Sequence, residues 1–150
     1  MAERKKPTAR QVMSGTHGII WIDGDKCYEL SKFESKLGTD RESMQFAGDM
    51  IKDSKLMAVE GTWTATVKKV FSRAKPIVTN LMKGVDTRST IIAKINDPDN
   101  GGTERVQYSN CWFDEATIQK IEQGAICEDE FSGGFTGLEY LDSVADPCAN

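Results

Sequence analysis

Histidine is nearly missing from this chain: His17 is the only one among 150 residues. That removes the usual zinc ligand sets, which draw on histidine or on regularly spaced thiols. The cysteines, Cys27, Cys111, Cys127 and Cys148, form no CxxC pair and no regular spacing. They read as small packing residues or free thiols of a reducing compartment. No apolar run approaches the ~18 residues that a membrane-spanning helix needs, and no apolar signal region follows the basic start. Synthesis and folding in the cytoplasm are therefore expected. Basic charge is also short: 19 Lys and Arg face 23 Asp and Glu, a net charge of −4. A general nucleic-acid surface needs clustered cations, and the only cluster is Arg4-Lys5-Lys6 with Arg10, which reads as a solvated tail.

Catalytic patterns are missing as well. Ser14 and Thr16 flank His17, but sequence neighbours do not make a triad, and a turn or strand-edge histidine is expected. Gly101-Gly102 and Gly133-Gly134 read as turn and strand-break glycines, without the spacing that opens a phosphate-binding helix. Glu128-Asp129-Glu130 lacks a calcium-loop pattern and reads as a solvated strand rim. Trp21, Trp63 and Trp112 read as core or interface residues. No enzyme, no cofactor and no metal is expected. A chain with an intact core and no chemistry works through its surfaces.

What is present is β structure around one helix. From Gly61 to Val67 the residues alternate, with Trp63, Ala65 and Val67 on one face and Thr62, Thr64 and Thr66, continued by Lys68, on the other. That is the period of a half-buried strand. Ala74, Ile77, Val78, Leu81 and Met82 then form one helical stripe, with Ser72 available as N-cap, Pro76 in the first turn and Gly84 where a terminating glycine belongs. Trp63, Ala65 and Val67 are expected to pack beneath Ile77, Val78 and Leu81. Period two returns from Ser89, with Ile91, Ala93 and Ile95 inward. Asp23-Gly24 between apolar runs marks a hairpin, whose return strand extends from Cys27 toward Leu37. The cluster Asp97 to Gly102 marks a second hairpin, and a parity switch at Ser109-Asn110 calls for a bulge or bend. The expected fold is mainly β (α+β): two packed antiparallel sheets in a sandwich or partial barrel with one short helix.

Between Gly38 and Val59 the alternation fails. The segment is charged yet carries Met44, Phe46, Met50, Ile51, Leu56 and Met57. Two readings stand: a long loop that orders against a partner, or one folded back over its own core.

Several runs carry a resemblance: "VMSGTHGIIWIDG" (Val12–Gly24), "AGDM" (Ala47–Met50), "VFSRAKPIVTNLMKG" (Val70–Gly84), "INDPDNGGTERV" (Ile95–Val106), "FDEATI" (Phe113–Ile118) and "EYLDSV" (Glu139–Val144). In this order they resemble the tail tube proteins of contractile-tailed phages, of defective phage particles of the PBSX type and of R-type bacteriocins. Gly133 departs from the pattern, at a position that resembles an aromatic one in relatives. The resemblance implies a single tube domain over 1–150, with a flexible N-terminal arm (1–13), an inter-subunit loop (38–59) and a C-terminal tail (142–150). It implies hexameric rings in which neighbouring sheets close one β-barrel, stacked into a tube that pierces an envelope or conducts DNA. Its partners would be further copies, a sheath, a tape-measure protein, a baseplate hub or initiator, and DNA passing without specific binding. Its place would be the virion tail or a tail-like particle, assembled in the bacterial cytoplasm. Thr62, Thr64, Thr66 and Lys68 are candidates for the lumen face, as they are for an exposed outer face. The competing reading is a non-tube β-barrel adaptor or ligand-binding module, such as a tail terminator or a lipocalin-like barrel.

Overall fold

In a computed structural model that describes residues 3–149, the chain builds eight strands and one α-helix. In chain order these are β1 (Gly18–Ile22), β2 (Asp25–Cys27), β3 (Leu30–Met44), β4 (Asp53–Lys68), α1 (Lys75–Met82), β5 (Ser89–Asp97), β6 (Gly102–Ala116), β7 (Glu128–Phe135) and β8 (Gly137–Asp142). Every pairing is antiparallel, and the spatial order is β2-β1-β5-β6-β7-β4-β3, with β8 also on β6. The path does not close on itself and is no simple meander, which removes the lipocalin-like barrel.

Strand β6 belongs to two sheets. Its first part pairs with β5 and β8, whereas Trp112 to Ala116 pair with β7. The bend falls at Asn110, whose φ of 56° lies in the left-handed region that asparagine tolerates. The partner strand bends with it: Ser109 faces Gly137 and Trp112 faces Gly134, so β7 and β8 track β6 as one ribbon interrupted at Thr136. The Asn110 amide donates to the Thr136 hydroxyl at 2.8 Å and ties the two bends together. The last strand region, expected to break at Gly133, Gly134 and Gly137, runs unbroken through the first two and breaks at Thr136, beside the third. A Cβ on Gly133 would stand 1.7 Å from the Trp112 carbonyl oxygen, and one on Gly134 would stand 2.3 Å from the Trp112 ring. Both glycines admit close approach of β6.

The two sheets pack face to face. Tyr108 of the first meets Phe33 and Phe135 of the second at ring distances of 5.7 and 5.0 Å, and its hydroxyl shares a 2.6 Å hydrogen bond with Ser35. Trp63 sits edge-on to Phe113 at 5.3 Å and donates to the Gly134 carbonyl at 3.2 Å. Trp63, Ala65 and Val67 are buried as their alternation predicts, beside Ile20, Ile91 and Phe131. Each large apolar side chain so buried contributes about 1.5–3 kcal/mol. The thiols of Cys27, Cys111 and Cys148 are buried and unpaired. Burial pushes the Cys111 thiol up to about 11, which makes it inert packing.

Several expectations are corrected. The Asp23-Gly24 hairpin forms with both central φ values positive, but its return strand stops at Cys27, and the chain then changes sheets to begin β3. Helix α1 ends as expected: the Val85 and Gly84 N–H groups donate to the Asn80 and Leu81 carbonyls, with Gly84 at φ 77°. Its N-cap is Ala74, without a side-chain bond, and not Ser72. Ile77 and Val78 pack on the core, but Leu81 is exposed. The short helix rises off the sheet over a cleft of about 280 Å³ beside Trp63, Phe113 and Phe131. The expected loop 38–59 is two paired strand legs: register runs from Gly38↔Glu60 to Met44↔Asp53, with Met57 extra where the ladder shifts. Only residues 45–52 form the turn. The legs hide from periodicity because both faces meet solvent, so nothing selects alternation.

The N-terminal arm is tied down within its described part. Arg4 pairs with Asp146 at 2.8 Å, the Lys5 N–H donates to the Cys148 carbonyl, and the Asn100 amide donates to the Gln11 carbonyl at 2.6 Å. The expected C-terminal tail is thus half of a clasp, with Cys148 buried. Met1, Ala2 and Asn150 of these two segments lie outside the described residues. Asp129 is also no solvated rim. It shares parity with Phe131, is almost fully buried, and faces Lys69 Nζ at 3.6 Å.

Two measurements check this account. Gly133→Ala should cost about 1–3 kcal/mol in urea unfolding, because the new methyl meets backbone that cannot swing aside. Asp97, buried at the second turn, accepts the N–H groups of Ser14 and Asp99 at 2.9 and 3.0 Å, which hold its carboxyl below the ordinary 3.8. A depressed folded value gives stability that is present above the ordinary value and lost as pH falls through the folded one. Asp97→Asn should therefore melt lower than the parent at neutral pH, with the gap closing as both are acidified toward pH ~3.

Candidate functional site

The second sheet runs β6-β7-β4-β3 and has two dissimilar faces. Rows across it follow from register. Phe33, Ala65 and Phe131 line up on the core side, as do Ser35, Trp63, Gly133 and Phe113. One residue along, Lys32, Thr66 and Glu130 align on the opposite side, followed by the row Glu34, Thr64, Ser132 and Glu115. Lys36, Thr62, Gly134 and Trp112 form the next row, and Lys68 stands opposite Glu128. Thr62, Thr64, Thr66 and Lys68 thus belong to one broad polar face four strands wide. Its one large apolar side chain, Trp112, lies across Gly134 beneath the Arg88 guanidinium.

Among the described residues, both sides of this sheet end in backbone without a strand partner. Strand β3 terminates the path, and β6 from Trp112 to Ala116 has β7 on one side only. Free edges of this length are templates for another strand. On the β3 edge Lys36 and Lys32 share Glu34 at 3.0 and 3.8 Å, and the Lys36 ammonium, with Lys32 behind it, holds the Glu34 carboxyl below the usual range.

The arm formed by the outer halves of β3 and β4 carries the other unpartnered surface. Met44, Phe46, Met50, Ile51, Leu56 and Met57 are all exposed, Met50 at 92%. So are Leu37 and Val59, which extend the core-facing side of the sheet beyond the cover of the first sheet. Single exposed apolar residues are ordinary, whereas this paired arm exposes many together. The arm's tip is ordered by its own bonds, the Gln45 amide donating to the Asp49 carbonyl at 2.7 Å. Among the described residues no group of His, Cys, Asp and Glu could hold a metal ion.

Periodicity found the Thr62–Lys68 face but not its width, because the contributions of β3, β6 and β7 depend on long-range register. Lys32, Lys36, Glu115 and Glu130 were invisible as a set for the same reason.

An open antiparallel sandwich with one polar sheet face, two free edges and a protruding apolar arm has the make-up of a structural protein. The chain belongs to the phage tail tube protein family, whose model matches residues 5–142. It is 27% identical over 141 residues to "Phage-like element PBSX protein XkdM" of Bacillus subtilis (strain 168), covering 92% of this chain and 96% of that protein. Its fold is shared with solved tube-type proteins. A chain of the sheath-tube complex of an extracellular contractile injection system superposes with a TM-score of 0.66 at 7% identity, over 92% of this chain and 100% of that one. The tube-terminating cap of the anti-feeding prophage superposes at 0.70, also at 7% identity, over 93% and 97%.

Proposed function

We propose that this protein is the tail tube subunit itself: copies join edge to edge into hexameric rings, and rings stack into the inner tube of a contractile tail or tail-like particle. The observation that carries the reading is the second sheet, with a polar face that extends over four strands and carries one large apolar side chain, Trp112, and with unpaired backbone at both ends. The edges differ, so joining is head-to-tail, and a head-to-tail contact that closes makes a ring without leftover edges. The polar face, with Thr62, Thr64, Thr66 and Lys68 at its centre, then lines the channel. Mixed charges and threonines there let DNA or an effector pass without being held.

The apolar arm carries the second contact. Met44, Phe46, Met50, Ile51, Leu56 and Met57 lie against the next subunit or ring, which buries surface that is costly in water. Helix α1, on the opposite side from the polar face, is the outer buttress nearest a sheath. Tape-measure protein and DNA would occupy the channel, and a baseplate hub or initiator would start the stack. The particle would assemble in the bacterial cytoplasm and place this chain in the virion tail, with no enzymatic step.

A second reading is a terminator ring, favoured by the likeness to the anti-feeding prophage cap. Copy number separates the two: a tube subunit forms stacks of many rings from purified protein, whereas a terminator stops at one. Electron microscopy of the concentrated protein tells them apart, and persistent monomers would sink both.

The arm's role has its own test. Phe46→Ser, Met50→Ser and Ile51→Ser combined should leave monomer stability within about 0.5 kcal/mol, since these side chains are already in water. The triple variant should lose stacking of rings. In parallel, trypsin should cut near Lys52 in dispersed monomers and be blocked in tubes. Equal protection in both states would refute the contact.

A further inference from the structure

On the second sheet's two free edges, the β3 stretch from Lys32 to Lys36 is net cationic and the stretch around Glu115 and Glu130 is anionic; the use made of them rests on the reading of that sheet as part of a ring. At the β3 edge, Lys32 and Lys36 point from the polar face and share the single carboxylate of Glu34, which leaves one cation in excess. At the other edge, Glu115 on β6 and Glu130 on β7 project from the same face, and neither makes a salt bridge among the described residues. Together with Ser132 and Thr117 they border a shallow polar notch of about 330 Å³.

Strand direction brings these groups into reach. The sheet has four strands in strict antiparallel alternation, so β3 of one copy runs opposite to β6 of the next when their edges meet. Glu34, Thr64, Ser132 and Glu115 already form one row, with Lys32 and Lys36 in the rows on either side. A neighbour's β6 edge therefore offers its carboxylates to a face on which a lysine flanks Glu34 in either direction. Backbone pairing alone would tolerate slippage of this polar strand, because no buried face of a neighbour fixes register there. Charge supplies the missing constraint, and unlike charges at paired strands also exclude like edges from joining.

We propose that the lateral seam between copies is charge-keyed: Lys32 and Lys36 of one copy pair with Glu115 and Glu130 of the next, fixing both partner edge and register. The occupant of each edge is a second copy of this chain.

The test uses the whole protein in two charge-reversed forms, Lys32→Glu/Lys36→Glu and Glu115→Lys/Glu130→Lys. Each should keep the parent's circular dichroism and melting, since all four side chains lie on the face away from the core. Alone, each should form rings at least about threefold more slowly than the parent, because every seam now joins like charges. Mixed in equal amounts they should recover the parent rate, because alternating copies restore every seam, and only a ring with an even number of copies can alternate throughout. Where a reversal disturbs folding, the neutral pairs Lys32→Gln/Lys36→Gln and Glu115→Gln/Glu130→Gln take its place, with slowing in both and loss of the parent's salt dependence expected. Variants that assemble within threefold of the parent, or a mixture no faster than its separate components, overturn the keyed seam. A parent protein that never forms rings instead overturns the tube reading, so the two failures are distinct.

Discussion

The shared bend of β6 and its partner ribbon is the constraint on which the molecule depends. A strand that left one sheet for another without its neighbour would strand backbone donors and acceptors in the core, where each unpaired group costs about 1–3 kcal/mol. Here both strands turn together, at Asn110 on one and Thr136 on the other, and their side chains bond across the corner. Pairing is resumed at once on the far side. Gly133 and Gly134 let β6 come close enough for Trp112 to lie flat, and Phe113 then reaches Trp63. From that corner follow the angle between the sheets, the aromatic core between them, and the orientation of the polar face outward from the core.

The division of labour across the second sheet follows from the same geometry. Its inner face is spent on packing, with Trp63, Ala65, Val67 and Phe131 buried. The outer face has no such demand and is free to be polar. The outer halves of β3 and β4 run past the edge of the first sheet, and there even the inner face is uncovered. That is why apolar side chains on one hairpin pass from core residues to an exposed arm while the strand pairing continues, with a single register shift at Asp40/Arg41.

Much of the fold was legible from period and punctuation. Trp63, Ala65 and Val67 announced a strand, Asp23-Gly24 a tight hairpin, and the parity switch at Ser109-Asn110 a strand shared between sheets. These signals are local, and burial of one face enforces them. The misreadings have physical causes too. The legs of the arm are wet on both faces, so their strand character left no alternation. Gly133 and Gly134 resembled a break because the atom that forbids a side chain there belongs to a residue some twenty positions away. Asp129 resembled rim because a run of three acids reads as solvated, whereas parity with Phe131 places it inside, where Lys69 meets it. The six apolar residues of the arm were identifiable by composition. The charged edges were not, since rows across a sheet exist only once register is known.

The clasp between the chain ends has a mechanical meaning. Arg4 holds Asp146, and the backbone of Lys5 holds that of Cys148, so these two segments meet at one corner. A pull applied between them would load a few exposed bonds in series and peel the end segments away one at a time. The long antiparallel ladders of the second sheet lie outside that line of force. Tension on the end segments is thereby kept off the strand pairing of the second sheet.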